Sequence, residues 1–127
     1  LREVVSMERI KQMIVMRRDL HMRKGKIAAQ AGGVSALQVE GGVIQVSGDS
    51  SLSQWFRQGE AKVCVYVDSE EALLTLHRQA REAGITSVLI QDSGLTEFHG
   101  QPTYTCLALE PLSADRVDPI TGQLPLF

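Results

Sequence analysis

Cysteine, proline and aromatic residues are all scarce in this 127-residue chain, which has two cysteines, four prolines and 5% aromatics. Two cysteines cannot form a disulfide framework. Both Cys64 and Cys106 lie in apolar, strand-like runs, where a free thiol behaves as a small buried hydrophobe. His21, His77 and His99 show no metal-ligand spacing with each other or with the cysteines, so no metal is expected. No apolar run approaches the ~20 residues of a membrane span. Leu1 to Lys11 alternates charged and apolar residues and has no leader-like apolar core. There is no Walker or dinucleotide glycine pattern. Ser93, close to Asp92 and His99, lacks the strand–turn–helix glycines of a hydrolase nucleophile. These absences leave a soluble, cytoplasmic protein that needs no cofactor and no membrane.

What is present suits one compact domain: 43% of residues are apolar and 22% charged. The net charge of −2 hides an asymmetry. Residues 1–30 hold eight basic and three acidic side chains, net +5, and the rest holds five basic against twelve acidic, net −7. A basic segment on an acidic body points to a localised anion site, although a solvated charged face gives the same count.

Residues 1–11 read as an extension, flexible or helical, and 12–127 as the domain. Gln12 to Arg17 is a short apolar run between charges, as in a strand buried on both faces. Ile27, Ala28, Ala31, Val34 and Leu37 then recur near helical spacing, with Gly32-Gly33 threatening to break the helix at about 1 kcal/mol per glycine. Gly41 to Val46 is either a short strand or an irregular connection. Ser51 with Gln54 forms a capping-box pattern before a short helix that Gly59 ends. Trp55 falls on its apolar face, where core packing competes with stacking on RNA. Lys62 to Val67 alternates like a strand. Asp68 with Glu71 opens a helix whose stripe is Leu73, Leu76 or His77, Ala80 and Ala83, with Gly84 at its end. His77 belongs to its packing. Thr86 to Ile90 and Tyr104 to Leu109 read as further strands, and Asp118 to Gly122 as a turn. Helical crossovers make the first three strands parallel, whereas the helix-free last link favours an antiparallel fourth. The expected fold is a single-domain α/β three-layer sandwich, a mixed four-stranded sheet with helices on both faces.

Ligands of open α/β sheets gather beyond the carboxyl ends of the strands. Three polar clusters fall there: Arg17-Arg18-Asp19, Asp68-Ser69 and Gln91-Asp92-Ser93-Gly94. The first runs into Lys24-Gly25-Lys26 at a helix start, where free backbone N–H groups and two ammonium groups suit a phosphate or a developing oxyanion. Asp92, presented by a turn at the rim, could orient or deprotonate a water, or it could simply bond its own backbone. Thr96, Thr103 and Thr105 could place a water or a sugar hydroxyl, or serve only as strand formers.

Five segments stand in order along the chain: Met13-Ile-Val-Met-Arg-Arg-Asp-Leu20, Lys24-Gly-Lys-Ile-Ala-Ala-Gln30, Ser53-Gln54-Trp55 to Lys62, Leu89-Ile-Gln-Asp-Ser-Gly-Leu-Thr96, and Thr105-Cys-Leu-Ala-Leu-Glu-Pro111. Together they resemble the archaeal and eukaryotic type of peptidyl-tRNA hydrolase. The resemblance implies hydrolysis, without a metal, of the ester joining a peptide to the terminal ribose of tRNA, commonly by a homodimer. Position by position, it assigns catalysis to Lys26, Asp92, Thr96 and Thr105, with Thr103 a rival for the last role. In this scheme Asp92 orients the water and Lys26 stabilises charge. Arg17, Lys24 and Gln30 would contact the tRNA end, with Asp19, Gln91 and Thr103 as further substrate contacts. Three departures stand out: Gly33 replaces a histidine, Leu95 an arginine and Glu110 a glycine. Losing a cation at 95 and adding an anion at 110 would weaken phosphate contacts. A non-catalytic tRNA- or RNA-binding member of the same fold is the alternative.

Overall fold

The structure is a computed structural model that describes residues 8–41, 50–94, 98 and 100–127. In chain order the elements are β1 (Ile10–Arg17), α1 (Lys24–Gly41), α2 (Ser51–Gln58), β2 (Lys62–Val67), α3 (Glu70–Glu82), β3 (Ser87–Asp92), β4 (Thr103–Leu109), β5 (Leu112–Ser113) and α4 (Ala114–Thr121). The sheet order is β2-β1-β4-β3, with the two-residue β5 pairing the start of β1. β1 and β2 are parallel, and β4 runs antiparallel to both β1 and β3. The first three strands therefore share one direction, and the fourth is inserted between β1 and β3.

Alternation along β1 divides the core. Met13 and Val15 face a layer built from Leu73, Leu76 and Ala80 of α3 and Val117 and Ile120 of α4. Ile14 and Met16 face Val34, Ile27 and Ala31 of α1. Helices on both faces give the expected three-layer sandwich. Trp55 is buried and donates its indole N–H to the Ala61 carbonyl at 2.8 Å, which is the core reading. Both cysteines are free.

Local details differ from the sequence expectations. β1 begins at Ile10, so the last two residues of the supposed extension are strand; Leu1 to Met7 and the undecided Gly42 to Val46 lie outside the described residues. α1 runs unbroken through Gly32-Gly33 because Ile27 and Ala31 before the pair and Val34, Ser35 and Gln38 after it pack against the sheet. The caps sit one residue away from those expected. Ser50 accepts from the Ser53 N–H, and Ser69 accepts from the Ala72 N–H. The expected turn at Asp118 to Gly122 is instead the last part of α4. Pro119 fits inside that helix, and the Gly122 N–H still reaches the Asp118 carbonyl at 2.8 Å. The outer edge of β2 is closed by residues 125–127, through Tyr66 N–H to the Pro125 carbonyl (3.1 Å) and Phe127 N–H to the Cys64 carbonyl (3.0 Å).

Candidate functional site

The carboxyl ends of β1, β2 and β3 and the amino end of β4 meet at one rim of the sheet, where α1 also begins. Two lysines, Lys24 and Lys26, occupy the first turn of α1, the positive end of its dipole. That placement is unfavourable for the helix, and one carboxylate offsets it. Lys26 Nζ lies 2.6 Å from Asp92 Oδ2, with the two side chains only 14% and 11% exposed. The Phe98 ring covers the ammonium, its centroid 5.8 Å away.

Asp92 has partners on both oxygens. Oδ2 also accepts the Gln30 amide N–H at 3.1 Å, and Oδ1 accepts the Gly94 backbone N–H at 2.8 Å. The Lys26 hydrogen bond, followed by that of Gly94, holds the carboxyl below its ordinary pKa despite the opposing effect of burial. Gly94 can act as this donor because its φ is +85°, and a Cβ there would lie 2.3 Å from the Gln101 carbonyl oxygen.

Gln30 links Asp92 to β4. Its Nε2 donates to Asp92, and its Oε1 accepts the Thr105 hydroxyl in a short hydrogen bond. A register shift explains the reach. Ile90 pairs with Cys106 but Gln91 pairs with Tyr104, leaving Thr105 as the extra residue of a bulge. Thr105 and Cys106 consequently both turn toward α1, and Cys106 Sγ lies 3.8 Å from the Gln30 carbonyl. Burial pushes the Cys106 thiol up to about 11. Thr105 itself is 0% exposed, so it stands behind the pair rather than at the surface.

Lys26, Asp92, Gln30 and Thr105 thus form one connected chain of side chains. Arg17 is separate. Its guanidinium is bidentate to Asp19 (3.1 and 2.7 Å) and donates to the Tyr104 carbonyl at 3.0 Å, tying the end of β1 to the bulge. This pairing lowers the Asp19 pKa. Lys24 and Gln91 are exposed at the rim, and the Thr103 hydroxyl donates to the Gln101 carbonyl at 2.9 Å. Thr96, Leu95 and His99 lie outside the described residues. Among the described residues no three His, Cys, Asp or Glu side chains are grouped as metal ligands, and no helix is long and apolar enough to cross a membrane.

Two expectations change. Glu110 was expected to repel phosphates, but it follows β4 at the opposite end of the sheet, where its carboxylate accepts the Thr86 N–H at 3.0 Å. β4 spans seven residues at about 3.3 Å each, some 20 Å in all, too far for Glu110 to act on the rim. His77 is partly buried as expected, but it bonds the Ser87 hydroxyl at 2.8 Å instead of only packing. The Gly94 donor is the backbone bond that the sequence allowed Asp92 as a turn-forming residue, and it is present together with the Lys26 pair rather than in place of it. Nothing in the sequence marked the Phe98 cover.

Residues 10–127 match the family model described as "Peptidyl-tRNA hydrolase PTH2". The chain is 39% identical over 118 residues to a protein named peptidyl-tRNA hydrolase from Methanothermobacter thermautotrophicus, covering 93% of this chain and all of that one. It is 40% identical over 119 residues to human "Peptidyl-tRNA hydrolase 2, mitochondrial", covering 92% of this chain and 64% of the human one. A solved structure of a protein of unknown function from Agrobacterium tumefaciens superposes with a TM-score of 0.58 over 93% of this chain and 97% of that one. At 16% identity that likeness concerns the fold alone.

Proposed function

The chain belongs to the PTH2 family of peptidyl-tRNA hydrolases, and from that premise we propose that it releases free tRNA by hydrolysing the ester between a peptide and the terminal ribose. The observation that carries the reading is the nearly buried 2.6 Å Lys26–Asp92 pair at the rim of the sheet. Attack of water on an ester carbonyl builds negative charge on the carbonyl oxygen, and the leaving ribose oxygen must gain a proton. An ammonium fixed at a helix start stabilises the first charge better than one that must be ordered during the reaction.

Asp92 serves this scheme as a fixed acceptor. Held below its ordinary pKa, it is a weak base and stays ionised at neutral pH. Its work is to aim Lys26 and to accept a hydrogen bond from the attacking water, whose proton ends on the leaving oxygen. Gln30 and Thr105 hold Asp92 from behind and do not touch substrate. Thr96 keeps the role that the sequence resemblance implies for it, a hydroxyl that holds the water or the ribose. Arg17 and Asp19 shape the rim, while Lys24, Gln91 and Thr103 border the path of the tRNA end.

The test is release of tRNA from an N-blocked aminoacyl-tRNA, comparing wild type with Asp92→Asn. Turnover that the variant loses supports the hydrolase. A folded wild type that binds tRNA without turnover sinks it in favour of an RNA-binding member of the fold.

A further inference from the structure

A second polar feature stands at the same rim, outside the connected chain of Lys26, Asp92, Gln30 and Thr105. The Arg18 guanidinium carbon lies 3.9 Å from the centroid of the Tyr66 ring. Asp68 fixes the edge of the guanidinium, with Nε and Nη2 at 3.2 and 3.4 Å from its two oxygens. The Phe127 ring meets Tyr66 edge-on at 6.0 Å. The stack is therefore held from three sides, yet the Arg18 side chain remains 53% exposed. One plane rests on the tyrosine and one edge on the aspartate, so these two contacts leave the opposite plane and the remaining edge uncovered.

An exposed Arg–Asp pair contributes only about 0–1 kcal/mol to stability, so stability alone is a weak reason for this arrangement. A flat cation, already ordered on an aromatic ring, is well suited to receive another flat partner, because little freedom is lost on binding. Nucleobases are such partners, and stacking on aromatic and guanidinium planes is how unpaired nucleotides are held.

Position favours the same partner. Tyr66 is in register with Met16, which faces α1, so the ring is on the face of the sheet that carries Lys26 and Asp92. Tyr66 is on β2 and Asp92 on β3, three strand spacings apart in the order β2-β1-β4-β3. At about 4.8 Å per spacing the lateral separation is roughly 14 Å. That matches about four stacked nucleotides at ~3.4 Å each, and fewer if they are splayed. Arg18 and Lys26 are also the two ends of one segment, in which His21, Arg23 and Lys24 are exposed. A phosphate backbone running from the stack to the pair would follow these basic side chains.

We infer that the Arg18–Tyr66 stack is a platform for one unpaired base of the tRNA 3′ end, upstream of the ribose that carries the ester. This subsite rests on the hydrolase reading for its direction, but binding can test it without turnover. The probe is an uncharged acceptor-stem minihelix whose unpaired 3′ end carries 2-aminopurine, titrated at fixed salt into wild type, Arg18→Leu, Arg18→Lys and Tyr66→Leu. Wild type quenches the probe. Arg18→Leu loses the quench and binds roughly ten-fold more weakly, the size of one lost base stack. Arg18→Lys, which keeps the charge and loses the plane, recovers only a minor part. In turnover, Arg18→Leu raises KM for N-blocked aminoacyl-tRNA by a similar factor at unchanged kcat. It leaves hydrolysis of N-blocked aminoacyl-adenosine, which lacks the upstream bases, as in wild type. Should Tyr66→Leu fail to fold, the two Arg18 variants decide the matter, since that side chain is at the surface. Full recovery by lysine, or undiminished binding and quench in Arg18→Leu, overturns the platform. Quench without turnover in wild type removes the hydrolase and leaves the platform standing.

Discussion

Replacing Lys26 with methionine removes one charge from a pair whose side chains are 14% and 11% exposed. Breaking a fully buried pair costs about 3–5 kcal/mol, because the remaining charge is uncompensated. Here Asp92 keeps hydrogen bonds from Gln30 and Gly94, so the expected loss is smaller, about 2 kcal/mol. For a domain of this size that lowers Tm by roughly 8 °C. Asp92→Asn leaves Lys26 without its counter-charge and should cost about the same. The double variant should lose little more than either single one, giving a coupling of about 2 kcal/mol, measurable by urea unfolding of the four proteins at pH 7. The pH dependence has a definite sign. The folded-state pKa of Asp92 is depressed, so the stability it contributes is present above the ordinary carboxylate value and is lost as pH falls through the lower folded value. The coupling should thus be the same at pH 7 and pH 5 and fade only in stronger acid. Single losses that add to within ~0.5 kcal/mol at pH 7 would refute the reasoning and make the pair a solvent-shared contact.

Thr105→Val keeps the shape of a fully buried side chain and removes its hydrogen bond to Gln30. It should cost about 1 kcal/mol of stability and lower kcat at unchanged KM, with Thr105→Ser restoring both; a raised KM would mean that the hydroxyl touches substrate. Gly94→Ala should cost at least about 2 kcal/mol by calorimetry, since it combines a φ of +85° with a Cβ 2.3 Å from the Gln101 carbonyl oxygen. It should also depress activity by moving the N–H that fixes Asp92, and near-wild-type behaviour would show that the Gly94 to Gln101 segment gives way freely.

The layers of the fold were legible because each rests on local periodicity: alternation in Lys62 to Val67, a 3.6-residue stripe in α3. Strand direction was legible from the lengths of the connections. Details that depend on long-range pairing were hidden. The bulge at Thr105 exists only in the register between β3 and β4, and without it the threonine would point away from Gln30. α4 was hidden behind Pro119, an ordinary breaker overridden here by burial of Val117, Ile120 and Thr121, while Gly122 caps the helix end. Lys26 and Asp92 were found from their places at a helix start and a strand end. Gln30 was assigned to the tRNA, and its position between Asp92 and Thr105 appears only once α1 is laid over β4.

The same geometry changes how the charge pattern is read. Residues 1–30 carry net +5, but within the rim Arg17 is neutralised by Asp19 and Lys26 by Asp92. Those two cations stand at the bonded, mostly buried places and contribute direction more than long-range attraction. Arg18 is likewise paired with Asp68, so attraction for a polyanion must draw on exposed basic side chains such as Arg23 on the loop between β1 and α1 and Lys24 at the start of α1. Glu110 does not oppose them, because the direction of β4 places it at the far end of the sheet. A sequence difference at position 110 therefore says little about RNA affinity, whereas a change of one exposed cation on the β1–α1 loop should alter the salt dependence of binding by about one phosphate contact.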